Sequence, residues 1–275
     1  MKKLIALLLA AMMVFAVCAC TTAKTGDKAP ESKTAEPVNT QPTAESATAE
    51  PTTAAESATT EANPDEVKVM TYEEYAAAAL DTKVVVETYV QAKQSWWDNK
   101  ATVYTQDENG GYFLYNMACT EEQYATLVPG QKIRVTGFKA EWAGEIEISD
   151  ATFELLEGNY VAEVLDVTDK LGTEELATYM NRFVAFKGLT VEAYDDEGNA
   201  FAYKNPENKT DDLYFKASID GKTYDFCVEY YLCNNDTEVY KAVEALKVGD
   251  KIDMEGFLYW YNGSNPHITS VKASA

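Results

Sequence analysis

Large aromatic side chains lie in four short stretches that we expect to form loops or the edges of loops. Flat rings on loops can stack on sugar rings, nucleobases or other apolar groups, so such stretches are candidates for ligand contact. The candidate ligand-binding residues are Trp96, Trp97, Trp142, Phe201, Tyr203, Tyr259, Trp260 and Tyr261.

Catalytic chemistry has little support in the sequence. His267 is the only histidine, and no serine or cysteine motif supplies a nucleophile for it to activate. Carboxylates are numerous, but no pair is singled out as the acid pair of a glycosidase. Glycine motifs that cradle nucleotide phosphates are absent. We therefore expect no enzyme, no catalytic residues and no cofactor.

Metal sites and disulfides are equally weak candidates. Cys119, Cys227 and Cys233 are an odd number without a CxxC pair, and the last two are predicted to lie on one strand, roughly 20 Å apart. The acidic stretches at 107–110 and 195–198 carry the carboxylates that calcium prefers, but neither matches a twelve-residue calcium loop. We expect hairpin turns there, with calcium left as an alternative.

The N-terminus predicts a membrane anchor. Two lysines precede an apolar run at residues 4–17, which is shorter than the about 20 residues of a membrane span and typical of a secretory signal. The run ends in Val17-Cys18-Ala19-Cys20, which resembles the lipobox of bacterial lipoproteins. We expect a signal peptide at 1–19, lipidation of Cys20 and a location on the extracellular face of the cell membrane.

Residues 20–66 predict a disordered tether. They are rich in Thr, Ala, Glu, Pro and Ser and contain no aromatic residue, so they cannot bury enough apolar surface to offset the entropy of ordering.

The net charge restricts the partners. The chain carries a formal charge of −22, which repels phosphate backbones and anionic membrane surfaces at long range. Nucleic acid is therefore disfavoured as a partner, whereas a carbohydrate or protein ligand is compatible with this charge.

An internal repeat predicts the architecture. Gly130-x-Lys132-Ile133-x-x-x-Gly137-Phe138 recurs 119 residues later as Gly249-x-Lys251-Ile252-x-x-x-Gly256-Phe257, which indicates a duplicated domain. Each copy contains three strand patterns, a helical stretch and two further strand patterns, the element order of the OB-fold.

We therefore predict a mainly β protein with two tandem five-stranded OB-fold barrels, each with short helices. The first domain covers 67–158 and the second, with its connecting segment, covers 159–275. The third strand of the second copy is predicted at 222–232, and an insertion at 195–212 follows its first strand.

OB-folds bind ligands across strands two and three, between the loop joining strands one and two and the loop joining strands four and five. The tryptophans map to these loops. We expect Trp96, Trp97 and Trp142 around the mouth of one barrel and residues 259–261 around the other, each at least partly exposed.

Three stretches carry a resemblance to a known family: Tyr89-Val-Gln-Ala-Lys-Gln-Ser-Trp-Trp97, Gln106-Asp-Glu-Asn-Gly110 and Gly256-Phe-Leu-Tyr-Trp-Tyr-Asn-Gly263. The chain resembles secreted bacterial lipoproteins with tandem OB-folds, a functionally uncharacterised family. The resemblance implies the fold and the surface location, and no ligand.

Three functions follow as hypotheses. The first is a surface-displayed binding module for a carbohydrate, a peptide or another small ligand. The second is single-stranded nucleic-acid binding, which a basic strip beside the tryptophans would favour. The third is a structural or protein-interaction role in the envelope, which a rigid, aromatic-filled joint between the barrels would favour.

Overall fold

A computed structural model describes residues 68–207 and 209–275. The predicted signal peptide, the lipidation site at Cys20 and the predicted tether lie outside the described residues. Within the described part of the chain, no helix is both long and apolar enough to cross a membrane.

The first barrel is closed by five strands. They are β1 (Lys83–Lys93), β2 (Lys100–Gln106), β3 (Gly111–Ala118), β4 (Gln131–Trp142) and β5 (Glu145–Asn159). They lie in the order β1-β2-β3-β5-β4, with β4 returning to β1 and β3 parallel to β5.

The second barrel repeats this arrangement. Its strands are β6 (Leu165–Asp166), β7 (Phe183–Glu192), β8 (Phe201–Tyr203), β9 (Leu213–Ile219), β10 (Lys222–Val228), β11 (Lys251–Phe257) and β12 (His267–Ala273). The five central strands run β7-β11-β12-β10-β9, and β9 pairs again with β7 to close the barrel. Strands β10 and β12 are parallel. Both barrels thus have the strand order of the OB-fold, which confirms the predicted fold class.

Gly137 and Gly256 occupy equivalent places in the two barrels. Each lies in the fourth strand, opposite the first: Gly137 pairs with Val84 and Gly256 with Val184. Each also adjoins an irregularity in the pairing with the fifth strand. The shared sequence pattern therefore encodes the same bulged strand twice.

Three short helices and two 3-10 turns complete the fold. They are α1 (Tyr72–Ala77), α2 (Glu121–Thr126), α3 (Glu238–Glu244) and the 3-10 segments Thr168–Lys170 and Glu174–Tyr179. Helix α1 begins with a capping box, in which the Thr71 side chain accepts from Glu74 N. The corresponding segment before β7 is a 3-10 segment without a side-chain cap.

Lys139 holds α1 on the barrel. Its buried Nζ donates to the carbonyl oxygens of Tyr75, Ala76 and Ala78 at 2.8–3.1 Å. These carbonyls lie at the C-terminal end of α1, where a cation complements the helix dipole.

One predicted strand is wrong in length. Strand β10 ends at Val228 because the Glu229 carboxylate accepts from Tyr231 N at 3.1 Å and Leu232 N at 2.7 Å, which turns the chain. Cys227 and Cys233 therefore do not share a strand. They and Cys119 are free and buried.

Candidate functional site

The outer face of strands β2 and β3 is the surface on which OB-folds usually bind ligands. In this protein the second barrel covers part of it. Tyr104 and Phe113 of the first barrel and Phe257 of the second form a separate buried cluster, against which Phe183 and Tyr259 pack. The rings of Tyr104 and Phe257 stack with centroids 4.5 Å apart. Part of the usual binding face of the first barrel is therefore buried in a joint between the barrels.

His267 belongs to this joint. Its Nδ1 lies 2.6 Å from the Tyr104 hydroxyl, and its ring stacks on Tyr259 at 4.2 Å. Burial lowers the pKa of His267 to about 3, so the ring is neutral at physiological pH. The only histidine thus packs within the joint, and among the described residues no serine or cysteine forms a hydrogen bond with it.

A fully buried carboxyl group lies at the edge of the joint. Glu145, the first residue of β5, accepts from Trp260 N at 2.7 Å through Oε2. Its other oxygen, Oε1, is buried without a hydrogen-bond partner. Burial raises the pKa of Glu145 to about 8, while contacts from Asn181 and Trp260 N lower it in part.

Backbone hydrogen bonds join two pairs of loops across the boundary between the barrels, which we call the seam. In the first pair, Ser95 N donates to Tyr231 O at 2.7 Å, beside Trp96 and Trp97. In the second, Asn262 N donates to Ala143 O at 2.7 Å, which links the turn of Trp142 to the loop of Tyr261. Each of these hydrogen bonds thus joins a loop of one barrel to a loop of the other. The two pairs lie towards opposite ends of β3: Ala118, at its C-terminal end, pairs with Lys100 beside Trp97, whereas its N-terminal end runs alongside the start of β5, which follows Trp142.

The rings on these loops differ in exposure. Trp97, Trp142 and Tyr261 are 65%, 62% and 54% exposed. Trp96, Tyr259 and Trp260 are half-buried: Trp96 donates through Nε1 to Cys119 O at 2.8 Å, and Trp260 packs against the core of the second barrel. We call the four rings Trp97, Trp142, Tyr231 and Tyr261 the seam rings, and each is more than half exposed.

Phe201 and Tyr203 lie elsewhere. They form β8 in the insertion of the second barrel and meet edge to face at 5.3 Å. Together with Asp195, Asn199 and other residues of the insertion and of the turn after α3, they line an open pocket of about 650 Å³. The lining residues of this pocket all come from the second barrel, so the pocket is separate from the seam.

The acidic turns are stabilised by their own backbone. Asp107 Oδ1 accepts from Asn109 N and Gly110 N at 2.7 and 2.8 Å, and Asp195 accepts from Glu197 N and Asn199 N in the same manner. Both carboxylates are therefore used as turn formers.

Tyr231 and Glu145 were not among the sequence-predicted site residues. The sequence does not identify Tyr231 because residues 222–232 predict one strand, whereas Tyr231 lies in the turn that follows β10. Glu145 follows a hairpin turn in a highly acidic chain, and nothing in its sequence surroundings distinguishes it from an exposed glutamate.

No protein-family model matches the chain, and no curated protein matches it. It is similar to a structure of a murine DNA-binding protein bound with double-stranded DNA, at 12% identity and a TM-score of 0.31, covering 70% of this chain and 96% of that one. It is also similar to a deletion mutant of the single-stranded DNA-binding protein from Thermus aquaticus, at 15% identity and a TM-score of 0.24, covering 70% of this chain and 94% of that one. At these scores the similarities carry no argument about function, and the OB-fold assignment depends on the strand order.

Proposed function

We propose that this protein is a binding module of the cell surface that takes a carbohydrate chain on the seam rings. One observation carries the proposal: four large rings are more than half exposed on loops that hydrogen bonds join across the seam. Exposed rings of this size are not needed to close a barrel, and each of the two joined loop pairs carries two of them; exposed apolar patches often mark an interaction site.

The chemistry of the seam suits neutral sugars. The apolar faces of sugar rings stack on aromatic rings, and a net charge of −22 does not repel an uncharged ligand. Loops already joined by backbone hydrogen bonds lose less conformational entropy when a ligand binds. A single-stranded nucleic acid would meet the same rings but would be repelled by the charge.

Binding is expected to depend on the exposed tryptophans. Replacing Trp97 or Trp142 with alanine should weaken carbohydrate binding by roughly 1–3 kcal/mol each, by analogy with the stacking of bases on aromatic rings. The full chain is screened on a glycan array, and the affinity of each positive glycan is measured by calorimetry. Trp260 is a poorer target because its half-buried ring also supports the fold.

Two control variants separate the possible sites. Phe138→Ala removes an exposed ring from β4, and Phe201→Ala alters the pocket of the second barrel. Both should bind as the unsubstituted chain does. If Phe201→Ala alone abolishes binding, the ligand site is the pocket. If no glycan binds while single-stranded DNA does, the carbohydrate proposal is wrong.

Protein interaction is a second candidate. The specific observation in its favour is the aromatic joint of Tyr104, Phe113 and Phe257, which packs the two barrels against each other. A partner protein would then meet the same seam rings, and Trp97→Ala and Trp142→Ala would reduce its capture by the displayed chain.

Surface display is also a proposal, and it depends on Cys20. Cys20→Ala is expected to release the protein from the membrane fraction, because each buried methylene of a lipid anchor contributes about 0.8 kcal/mol. Cell fractionation with immunoblotting measures the release, and Cys18→Ala is the matched control that should remain in the membrane. Retention of the Cys20→Ala variant would contradict the anchor.

A further inference from the structure

The edge of the joint contains two buried acceptors that lack donors. Glu145 Oε1 and Asn181 Oδ1 are both buried without a hydrogen-bond partner. Each residue uses its other polar atom across the joint: Glu145 Oε2 accepts from Trp260 N at 2.7 Å, and Asn181 Nδ2 donates to Ile146 O at 2.9 Å. Leaving a buried polar group unsatisfied is costly, so each of these oxygens requires an explanation.

The two residues are neighbours. Strands β3 and β5 pair in parallel with Phe113 opposite Glu147, which places Gly111 beside Glu145. A side chain on Gly111 would meet the backbone carbonyl of Asn181 at 2.2 Å. The Asn181 side chain also lies close enough to lower the pKa of Glu145, although the larger effect of burial raises it. A single proton on Glu145 would convert one of the two acceptors into a donor for the other.

We infer that Glu145 is protonated, donates to Asn181 Oδ1 while it accepts from Trp260 N, and so acts as a latch that holds the seam loops together. The Trp142 turn immediately precedes Glu145, and the Tyr261 loop contains Trp260. The latch therefore positions two of the four seam rings. In this role it deepens the proposed function, although its own chemistry does not require a ligand.

The surroundings of Glu145 favour the neutral form. Tyr75 of α1, Tyr104 of β2 and Tyr259 of the β11–β12 loop face it with hydroxyl groups whose pKa burial raises. Glu147 faces it from the same strand, and burial raises the pKa of that carboxyl as well. Two cations lie near these groups: Lys139 Nζ is 5.3 Å from the centre of the Tyr75 ring, and Arg182 follows Asn181 with its Nε buried and without a partner. Neither is among the groups that shift the pKa of Glu145, whereas Glu147 raises it, because a second carboxylate repels a charged Glu145.

The folded-state pKa of Glu145, about 8, lies above the ordinary value of 4.5. The latch therefore contributes its full stabilisation below about pH 4.5, and this contribution decreases as the pH rises towards 8. Across this window the equilibrium constant for closing the latch falls about tenfold for each pH unit, and above pH 8 it is constant.

The test compares Glu145→Gln and Glu145→Ala in the full chain without ligand. Glutamine keeps one donor and one acceptor and should behave as a permanently closed latch, whereas alanine removes both. The thermal unfolding midpoint of each variant is measured from pH 5 to 9.5. We expect the Glu145→Gln midpoint to match that of the unsubstituted chain at pH 5 and to exceed it increasingly up to pH 8. Glu145→Ala should unfold earlier at every pH.

Infrared spectroscopy provides an independent signature. At pH 6.5 the carbonyl band of protonated carboxylic acids should be stronger in the unsubstituted chain than in Glu145→Gln, in which Glu229 still contributes because burial raises its pKa to about 7. Glu147→Gln, the matched control, should keep the part of the band that Glu145→Gln loses. A midpoint difference that is independent of pH, or a band whose intensity is unchanged in Glu145→Gln, would overturn the latch. Failure of glycan binding would contradict the proposed function and leave these two measurements unaffected.

Discussion

Tyr104→Ala is expected to lower the free energy of unfolding by about 3–5 kcal/mol, the usual loss when a large buried ring is truncated. Tyr104 is fully buried between the barrels, and its ring lies 4.5 Å from Phe257 and 5.0 Å from Phe113. Its removal empties the centre of the joint. Urea denaturation followed by tryptophan fluorescence measures the loss.

Tyr104→Phe is the matched control. It keeps the ring and removes only the hydroxyl that pairs with His267 Nδ1 at 2.6 Å. The loss should be about 1–3 kcal/mol, the cost of leaving a buried acceptor unpaired. If alanine costs no more than phenylalanine, ring packing does not hold the barrels together.

Gly256→Val is expected to destabilise the second barrel by about 3 kcal/mol or more, at the upper end for overpacked sites. A Cβ at this position would lie 2.2 Å from His267 O and 2.8 Å from Ile268 Cα. Both are backbone atoms of the neighbouring strand, which cannot move aside without breaking the pairing of β11 with β12. The measurement is again denaturant unfolding.

Two comparisons test whether close strand packing causes the destabilisation by Gly256→Val. Gly137→Val in the first barrel should have a similar effect, because its Cβ would meet Ile148 Cγ2 at 2.6 Å and Ser149 O at 2.7 Å. Gly249→Ala has open space around it and only a positive φ of 94°, so it should cost about 1–2 kcal/mol of backbone strain. Equal effects of Gly249→Ala and Gly256→Val would exclude close strand packing as the reason.

Much of the local structure follows from short sequence patterns. The repeated Gly-x-Lys-Ile-x-x-x-Gly-Phe motif predicted two copies of one barrel, because a bulged fourth strand needs a glycine where the fifth strand approaches closely. The capping box at Thr71 likewise depends on residues three positions apart. Such signals are local and survive without knowledge of the tertiary contacts.

The length of β10 was the part that local patterns predicted poorly. Alternating apolar residues continue past Val228, so the pattern favoured a strand as far as 232. The Glu229 carboxylate instead bonds the backbone of the following turn, and this side-chain contact outweighs strand propensity.

The sequence by itself determined the two barrels, their strand order and the aromatic loops, since these depend on alternation, turns and a repeat within each copy. Only the tertiary structure decided which of the outward-facing surfaces remain exposed to solvent. Tyr104 and Phe113 occupy outward positions on ordinary strands, and contacts with Phe257 and His267, more than 140 residues away in the chain, bury them. Glu145 holds its place by the same kind of contact, with Trp260 115 residues away. A local pattern records which face of a strand points outward, but the burial of that face depends on the docking of a distant element.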